Sequence, residues 1–126
     1  MNIQEIETFR GLVKSSDINT SKLLKSSSSS KFFEDATYFT KAIFKNLIIE
    51  SVNYLESEYF NTSILQYMTV YVRTDLNSES EDKIRATHSL FLLNEDNNKE
   101  DQIISKQSLI FNCKNIDKSL KINLSN

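Results

Sequence analysis

Residues 31–60, KFFEDATYFTKAIFKNLIIESVNYLESEYF, decide the fold that the sequence predicts. Apolar side chains recur at the three- and four-residue spacing of a helix, with Glu34 and Asp35 in the first turn and Ser30 as the N-cap. Their arc is broader than one packed face needs, so another element must cover the helix on more than one side. Two adjacent strips form the arc: Ala36, Phe39, Ile43, Leu47 and Tyr54, and Phe33, Phe44, Ile48, Val52, Leu55 and Tyr59.

After Phe60 the apolar period changes to two, which predicts β-strands. Four strands are expected, at residues 64–76, 84–93, 102–113 and 118–124. The polar connections 77–83, 94–101 and 114–117 are short enough for hairpins between consecutive antiparallel strands. Residues 64–124 therefore predict a four-stranded antiparallel meander.

The amino-terminal part predicts helix followed by a linker. Ile3, Ile6, Phe9, Leu12 and Val13 are spaced as on one face of a short amphipathic helix. Gly11 within it implies either fraying or a close approach of another backbone. Asp17 caps a second short helix in a segment that ends at residue 25, and residues 26–30, SSSSS, are expected to form a linker.

We therefore predict one α+β domain over residues 1–126: one or two short helices, one long helix, and the four-stranded sheet packed on it. This order of elements resembles the cystatin-like and NTF2-like architectures, in which a sheet curls around one long helix. The resemblance rests on predicted topology alone and implies no function.

Composition excludes several classes of function. The chain has 126 residues, 17 acidic and 15 basic side chains, one cysteine, one glycine and no proline. A single cysteine cannot form an intramolecular disulfide or a structural zinc site, and no phosphate-binding, dinucleotide or nucleophile-elbow motif is present. The sequence pI of 5.4 argues against nucleic acid. No apolar run is long enough to cross a membrane, so no membrane contact is expected and cytoplasmic location is predicted.

Few residues suggest chemistry. His88, the only histidine, is expected on the core face of its strand as a structural residue, and Cys113 as inert packing. Residues 94–101 resemble a calcium loop but lack its glycine and terminal glutamate. No catalytic residue, metal site or cofactor is predicted.

A partner-binding surface is predicted on the outer face of the sheet. Tyr67, Tyr71 and Arg73 come from the first predicted strand and Phe91 from the second, a composition typical of protein interfaces. Acidic side chains of the connecting hairpin, Glu79, Glu81 and Asp82, would steer a basic partner. The open alternative is that residues 1–25 fold back over this face.

Three functional hypotheses follow. The first is a small acidic binding module, monomer or homodimer, that acts as an immunity or antitoxin-type inhibitor of a basic toxin or other protein and is not an enzyme. The second is a ligand-binding or enzymatic domain of cystatin-like or NTF2-like type, with a pocket lined by Phe39, Phe44, Tyr54, Tyr59 and His88. The third is a secretion chaperone.

Overall fold

The computed structural model describes residues 2–44, 47–60, 62–64, 66–96 and 98–114. One helix and five strands make up this part of the chain. They are β1 (Asn2–Leu12), α1 (Ser26–Ile43), β2 (Ile48–Tyr59), β3 (Thr69–Ser80), β4 (Lys83–Leu92) and β5 (Gln102–Lys114). A single 3-10 turn, Ser15–Asp17, lies between β1 and α1.

The five strands form one sheet in the order β1-β3-β4-β5-β2, and every neighbouring pair is antiparallel. The predicted central strands are present, with ends that differ by a few residues. In β3 and β4 the alternation of apolar and polar residues in the sequence matches the alternation of buried and half-buried side chains in the structure. The predicted four-strand meander is wrong: β1 and β2, which precede β3 in sequence, are the two edges. The predicted strand 118–124 lies outside the described residues.

Helix α1 packs across β1, β3 and β4. Its buried side chains are Ser28, Ser29, Phe32, Phe33, Ala36, Thr37 and Thr40. Two apolar clusters fill the space beneath it, one around Phe33, Val72 and Leu90 and the other around Leu76, Leu109 and Phe111. The predicted serine linker is wrong, since the serines form the first helical turns and two of them are buried.

The predicted amino-terminal helix is strand β1. Register shifts between Asn2 and Gln4 and between Glu7 and Phe9 insert extra residues into its pairing with β3. The second bulge turns Ile6 and Phe9, three residues apart, toward the same core, which accounts for this part of the helix-like spacing. The ring of Phe9 lies over Gly11, where a Cβ atom would be 2.8 Å from Phe9 Cζ, so glycine makes room for a packed ring and not for another backbone.

The predicted long helix is two elements. Helix α1 ends at Ile43, and the chain returns as β2, whose residues IIESVNYLESEY are rich in β-branched and aromatic types. No proline or glycine marks the break. Pairing with β5, whose partner residues lie between 46 (Tyr59–Ser105) and 66 (Ile48–Lys114) positions further along the chain, satisfies one side of the β2 backbone, and a local pattern cannot reveal that partner. No helix in the described part of the chain is long and apolar enough to cross a membrane.

Candidate functional site

The predicted partner surface is assembled only in part. Tyr71 and Phe91 are paired across β3 and β4, with ring centroids 5.4 Å apart. The Arg10 guanidinium lies 4.9 Å from the Tyr71 centroid, and Arg73 Nε donates to Glu5 Oε1 at 2.6 Å. Residues 2–12 extend the sheet sideways and the following loop packs toward the helix, so this outer face is not covered by residues 2–25.

The Tyr71 hydroxyl donates to Asp101. Burial and the Asp101 carboxylate raise the pKa of Tyr71 to about 12, so the phenol stays protonated. Tyr71 is thus already engaged within the chain, by Asp101 at its hydroxyl and by Arg10 over its ring. Its role in binding stays a prediction.

The other members of that surface lie elsewhere. Tyr67 precedes β3 in a turn with φ 68° and lines an open cavity of about 610 Å³ with Lys99 and Leu92. Glu79, Glu81 and Asp82 lie at the β3–β4 hairpin, at the opposite end of β3. Glu79 pairs with Arg85 there. Sequence alternation placed Tyr67 with Tyr71 because it extended the strand past its true start at Thr69.

His88 is fully buried under α1 and takes part in no cavity described for the chain. Its ring stacks on Phe33 at 5.9 Å, and its two nitrogens contact Thr37 and Thr74. Burial lowers its pKa to about 4, so it is neutral at physiological pH. The structural interpretation of His88 agrees with this geometry.

The predicted pocket around His88 does not form. Phe44 is buried in the core, Phe39 is exposed on α1, and Tyr54 and Tyr59 line other cavities. Cys113 is buried on β5. It lies six residues beyond Gln107, the residue that pairs with His88, so about 20 Å of strand separates Cys113 from the position of His88. Burial raises the pKa of Cys113 to about 11, so it is a protonated thiol and no partner for His88.

The geometry instead points to a groove that the sequence did not predict. Two cavities of about 280 Å³ each follow one another along α1, between this helix and β2. We call them together the α1–β2 groove. It is lined by Ser26, Ser29, Ser30 and Glu34 of α1, Tyr54 and Tyr59 of β2, and Ile104 and Gln107 of β5.

Two polar side chains that line this groove lack a partner among the described residues; outside the groove, the buried Asp75 Oδ1 also lacks one there. Gln107 Oε1 is buried without a hydrogen-bond partner among the described residues. Glu34, in the same cavity, has no ion pair or hydrogen bond in that part of the chain. The hydroxyls of Ser30 and Tyr54 complete the lining. A carboxylate, an amide and two hydroxyls around one cavity can bind and polarise a carbonyl compound.

A second carboxylate near the helix, that of Asp17, already accepts hydrogen bonds at both of its oxygens. Asp17 Oδ1 accepts from Ser28 Oγ at 2.7 Å and Oδ2 accepts from the Lys14 amide at 2.8 Å. Asp17 thereby ties the β1–α1 loop to the first turn of α1. Glu34 is therefore the free carboxylate beside the groove.

Strand β2 forms the outer wall of the groove and one edge of the sheet. It pairs with β5 on one side, and no described residue pairs with its other side. Its exposed apolar and aromatic side chains are Ile48, Tyr54, Leu55 and Tyr59, each about half exposed. An edge of 12 residues with this composition is a template for another strand.

One helix packed on a five-stranded antiparallel sheet in this order is the hotdog fold, and solved structures share it over nearly the whole chain. A hexameric broad specificity acyl-coenzyme A thioesterase, in an aspartate-to-alanine mutant, is 9% identical and has a TM-score of 0.69 over 97% of this chain and 96% of its own. The Dynemicin thioesterase, studied for polyene binding, is 10% identical with a TM-score of 0.68, covering 95% and 96%.

A third similar structure is 4-hydroxybenzoyl CoA thioesterase in complex with 4-hydroxybenzoyl CoA, in an aspartate-to-asparagine mutant. It is 9% identical with a TM-score of 0.61, covering 90% of this chain and 87% of its own. No family model matches the sequence, and no curated protein does. Structural similarity at 9–10% sequence identity establishes the fold alone.

These comparisons correct the functional predictions. The immunity or antitoxin inhibitor and the non-enzymatic assignment are wrong, because the similar solved structures that share this fold are thioesterases. The cystatin-like and NTF2-like resemblance is replaced by the hotdog fold. A protein partner and a monomer or homodimer are also not supported, since a matching thioesterase is hexameric.

Proposed function

We propose that the chain is a thioester hydrolase that cleaves acyl-coenzyme A or a closely related acyl thioester in the α1–β2 groove. The observation that carries this proposal is the Glu34 carboxylate, which has no partner among the described residues and shares a cavity with Gln107, whose buried Oε1 also has none there, in a fold that known thioesterases use. The acyl group is not specified by these residues.

Glu34 is the proposed general base. Its carboxylate takes a proton from water as the water oxygen attacks the thioester carbonyl carbon. The carbonyl oxygen gains negative charge in that step, and the Ser30 and Tyr54 hydroxyls are the donors beside it. The carbon–sulfur bond then breaks, and the thiolate leaves and takes up a proton. Tyr38, one turn beyond Glu34 on the same helix flank, offers exposed aromatic surface to the acyl group.

Gln107 positions the substrate or the attacking water. A 180° rotation of its amide exchanges the oxygen and the nitrogen, so the buried position can hold either a hydrogen-bond acceptor or a donor. Leaving such a group unpaired costs about 1–3 kcal/mol. A bound thioester or water that pairs with it recovers this cost, which favours occupancy of the cavity.

We further propose that the chain assembles into more than two copies through β2; a thioesterase that shares the fold is hexameric. Pairing of β2 with another copy would satisfy its open edge and cover the exposed Leu55 and Tyr59 side chains. Cytoplasmic location stays a prediction.

The test is hydrolysis of a panel of acyl-CoA esters with short, medium, long and aromatic acyl groups, measured as free thiol. We expect kcat to fall about 100-fold or more in Glu34→Gln. Asp35→Asn removes the same charge from the next, exposed helix residue and should leave the rate unchanged.

Two outcomes would count against the proposal. If the purified chain hydrolyses no member of the panel faster than buffer does, the thioesterase assignment is wrong. If Asp17→Asn abolishes turnover while Glu34→Gln retains it, the activity stands but Glu34 is not the base.

A further inference from the structure

The β1–α1 loop presents an unusual concentration of positive charge. Residues 14–25 carry Lys14, Lys22 and Lys25 and a single acidic residue, Asp17, in a chain with more acidic than basic side chains. All three lysines are exposed. We call residues 14–25 the lysine loop.

The lysine loop is held in one conformation by its own hydrogen bonds. Asn19 Oδ1 accepts from the amides of Ser21 and Leu23, and Ile18 and Leu24 form an antiparallel bridge. The Lys25 amide donates to the Asp17 carbonyl at 2.8 Å, and the Ile64 amide donates to the Lys22 carbonyl at 2.9 Å. The loop therefore presents its lysines from a fixed backbone.

Nothing in the described residues neutralises these lysines. The ion pairs there involve Arg10, Arg73, Arg85 and Lys114, and none involves the lysine loop. Asp17 is the nearest acid in sequence, but its two oxygens bond Ser28 and the Lys14 amide. Other exposed lysines of the described residues, such as Lys83 and Lys106, also lack a carboxylate partner, but the loop gathers three such ammonium groups within twelve residues, where they are available to an anion.

The lysine loop forms one end of the α1–β2 groove. Asn19, Leu23, Leu24 and Lys25 line the same cavity as Ser26 and Tyr59. Along the helix, Ser26 and Glu34 are eight residues apart, about 12 Å at 1.5 Å per residue. The groove therefore leads from the lysine loop along the helix to Glu34, a path of about 12 Å.

We propose that Lys14, Lys22 and Lys25 bind the phosphate groups of coenzyme A, with the pantetheine arm running along α1 toward Glu34. This inference rests on the proposed function for the direction of the arm. The binding of phosphates follows from the charge and rigidity of the loop. Lysine ammonium groups act as point charges on phosphate, so this binding should weaken as salt concentration rises.

The test uses a triple variant, Lys14→Ala, Lys22→Asn and Lys25→Ala. Asparagine is chosen at position 22 because Lys22 has φ 61°, a conformation that asparagine tolerates. The matched control is Lys83→Ala, Lys99→Ala and Lys106→Ala, which removes the same charge from exposed positions away from the loop. Calorimetric binding of free coenzyme A, dephospho-coenzyme A and pantetheine is measured for both variants and for the unchanged chain.

We expect the loop variant to lose at least about tenfold in affinity for coenzyme A at low salt, and the control to lose less than about twofold. Pantetheine, which has no phosphate, should bind all three proteins equally. In turnover, the loop variant should raise KM for acyl-CoA with kcat unchanged, and should cleave an N-acetylcysteamine thioester as the unchanged chain does.

Equal affinity of the loop variant and the control for coenzyme A would overturn the proposal. So would a matching loss of affinity for pantetheine. These binding results do not depend on turnover. A chain that binds coenzyme A through the loop but hydrolyses no thioester would refute the proposed function alone.

Discussion

His88 Nδ1 lies 2.6 Å from Thr74 Oγ1 in the closed interior between α1 and the sheet. On the other side of the ring, Nε2 lies 3.0 Å from Thr37 Oγ1, whose single proton is donated to the Phe33 carbonyl. Thr37 must therefore accept from His88 Nε2–H, and His88 Nδ1 must accept from Thr74. Thr74 in turn accepts from Thr8, whose single proton goes to the hydroxyl 2.8 Å away in preference to the Val72 carbonyl at 3.5 Å. The neutral Nε2–H tautomer is the form that satisfies all four side chains.

This relay predicts loss of stability in mild acid. The folded-state pKa of His88 is about 4, below the ordinary 6.5, so its stabilising contribution is complete above pH 6.5 and is lost as the pH falls toward 4. Between pH 7.5 and 5 we expect a loss of about 2 kcal/mol in the free energy of unfolding, measured by urea denaturation. His88→Leu should be less stable than the natural chain at pH 7.5 but should lose less unfolding free energy on acidification. Parallel curves of unfolding free energy against pH for the two proteins would contradict the assignment of this acid sensitivity to His88.

A buried hydroxyl pair joins α1 to β5. Ser29 Oγ and Ser105 Oγ are 2.5 Å apart, and both side chains are buried. Either single alanine variant leaves one hydroxyl unsatisfied and should cost about 1–3 kcal/mol in unfolding free energy. The double variant should cost less than the sum, because no orphan hydroxyl remains. Additive losses in chemical denaturation would mean that the two hydroxyls are not coupled.

The contact of Phe9 with Gly11 predicts opposite effects of one substitution in two backgrounds. In the natural chain, Gly11→Ala should destabilise by about 1–2 kcal/mol, because the new methyl group meets the ring. In a Phe9→Ala background the same change should be neutral or stabilising by up to about 1 kcal/mol, since alanine restricts the unfolded chain. Thermal unfolding of the four proteins provides the comparison. Equal destabilisation in both backgrounds would exclude the ring contact as the cause.

The two edges of the sheet should respond differently to added charge. Leu55 on β2 and Leu12 on β1 are both about half exposed, at 48% and 56%. If copies assemble through β2, Leu55→Lys should reduce the mass in solution, because a buried unpaired ammonium is costly. Leu12→Lys is the control and should leave the mass unchanged. Light scattering after size exclusion measures both, and a reduction in Leu12→Lys alone would place the interface on β1.

Prediction from the sequence succeeded where the burial of each side chain follows from its position in one strand. The period of two in β3 and β4 follows directly from a sheet with one face under the helix, so the presence of these strands and the burial of His88 were predicted correctly, although β3 begins at Thr69 and not at residue 64. It failed for β1, whose bulges imitate helical spacing, and for β2, whose apolar residues continue the helical strip of α1 without a glycine or proline between them. The α1–β2 groove was missed for the same reason, since its two walls were assigned to one helix.

By itself, the sequence determined the class of the chain: an acidic α+β protein with a buried histidine and no standard catalytic motif. Tertiary structure alone decided which residues meet, because Glu34, Tyr54 and Gln107 are brought together only when β2 pairs with β5, between 46 and 66 positions further along the chain. Long-range backbone pairing satisfies amide and carbonyl groups that a local pattern would assign to a helix. The proposed site is a product of that pairing, and so is invisible in any local stretch of the chain.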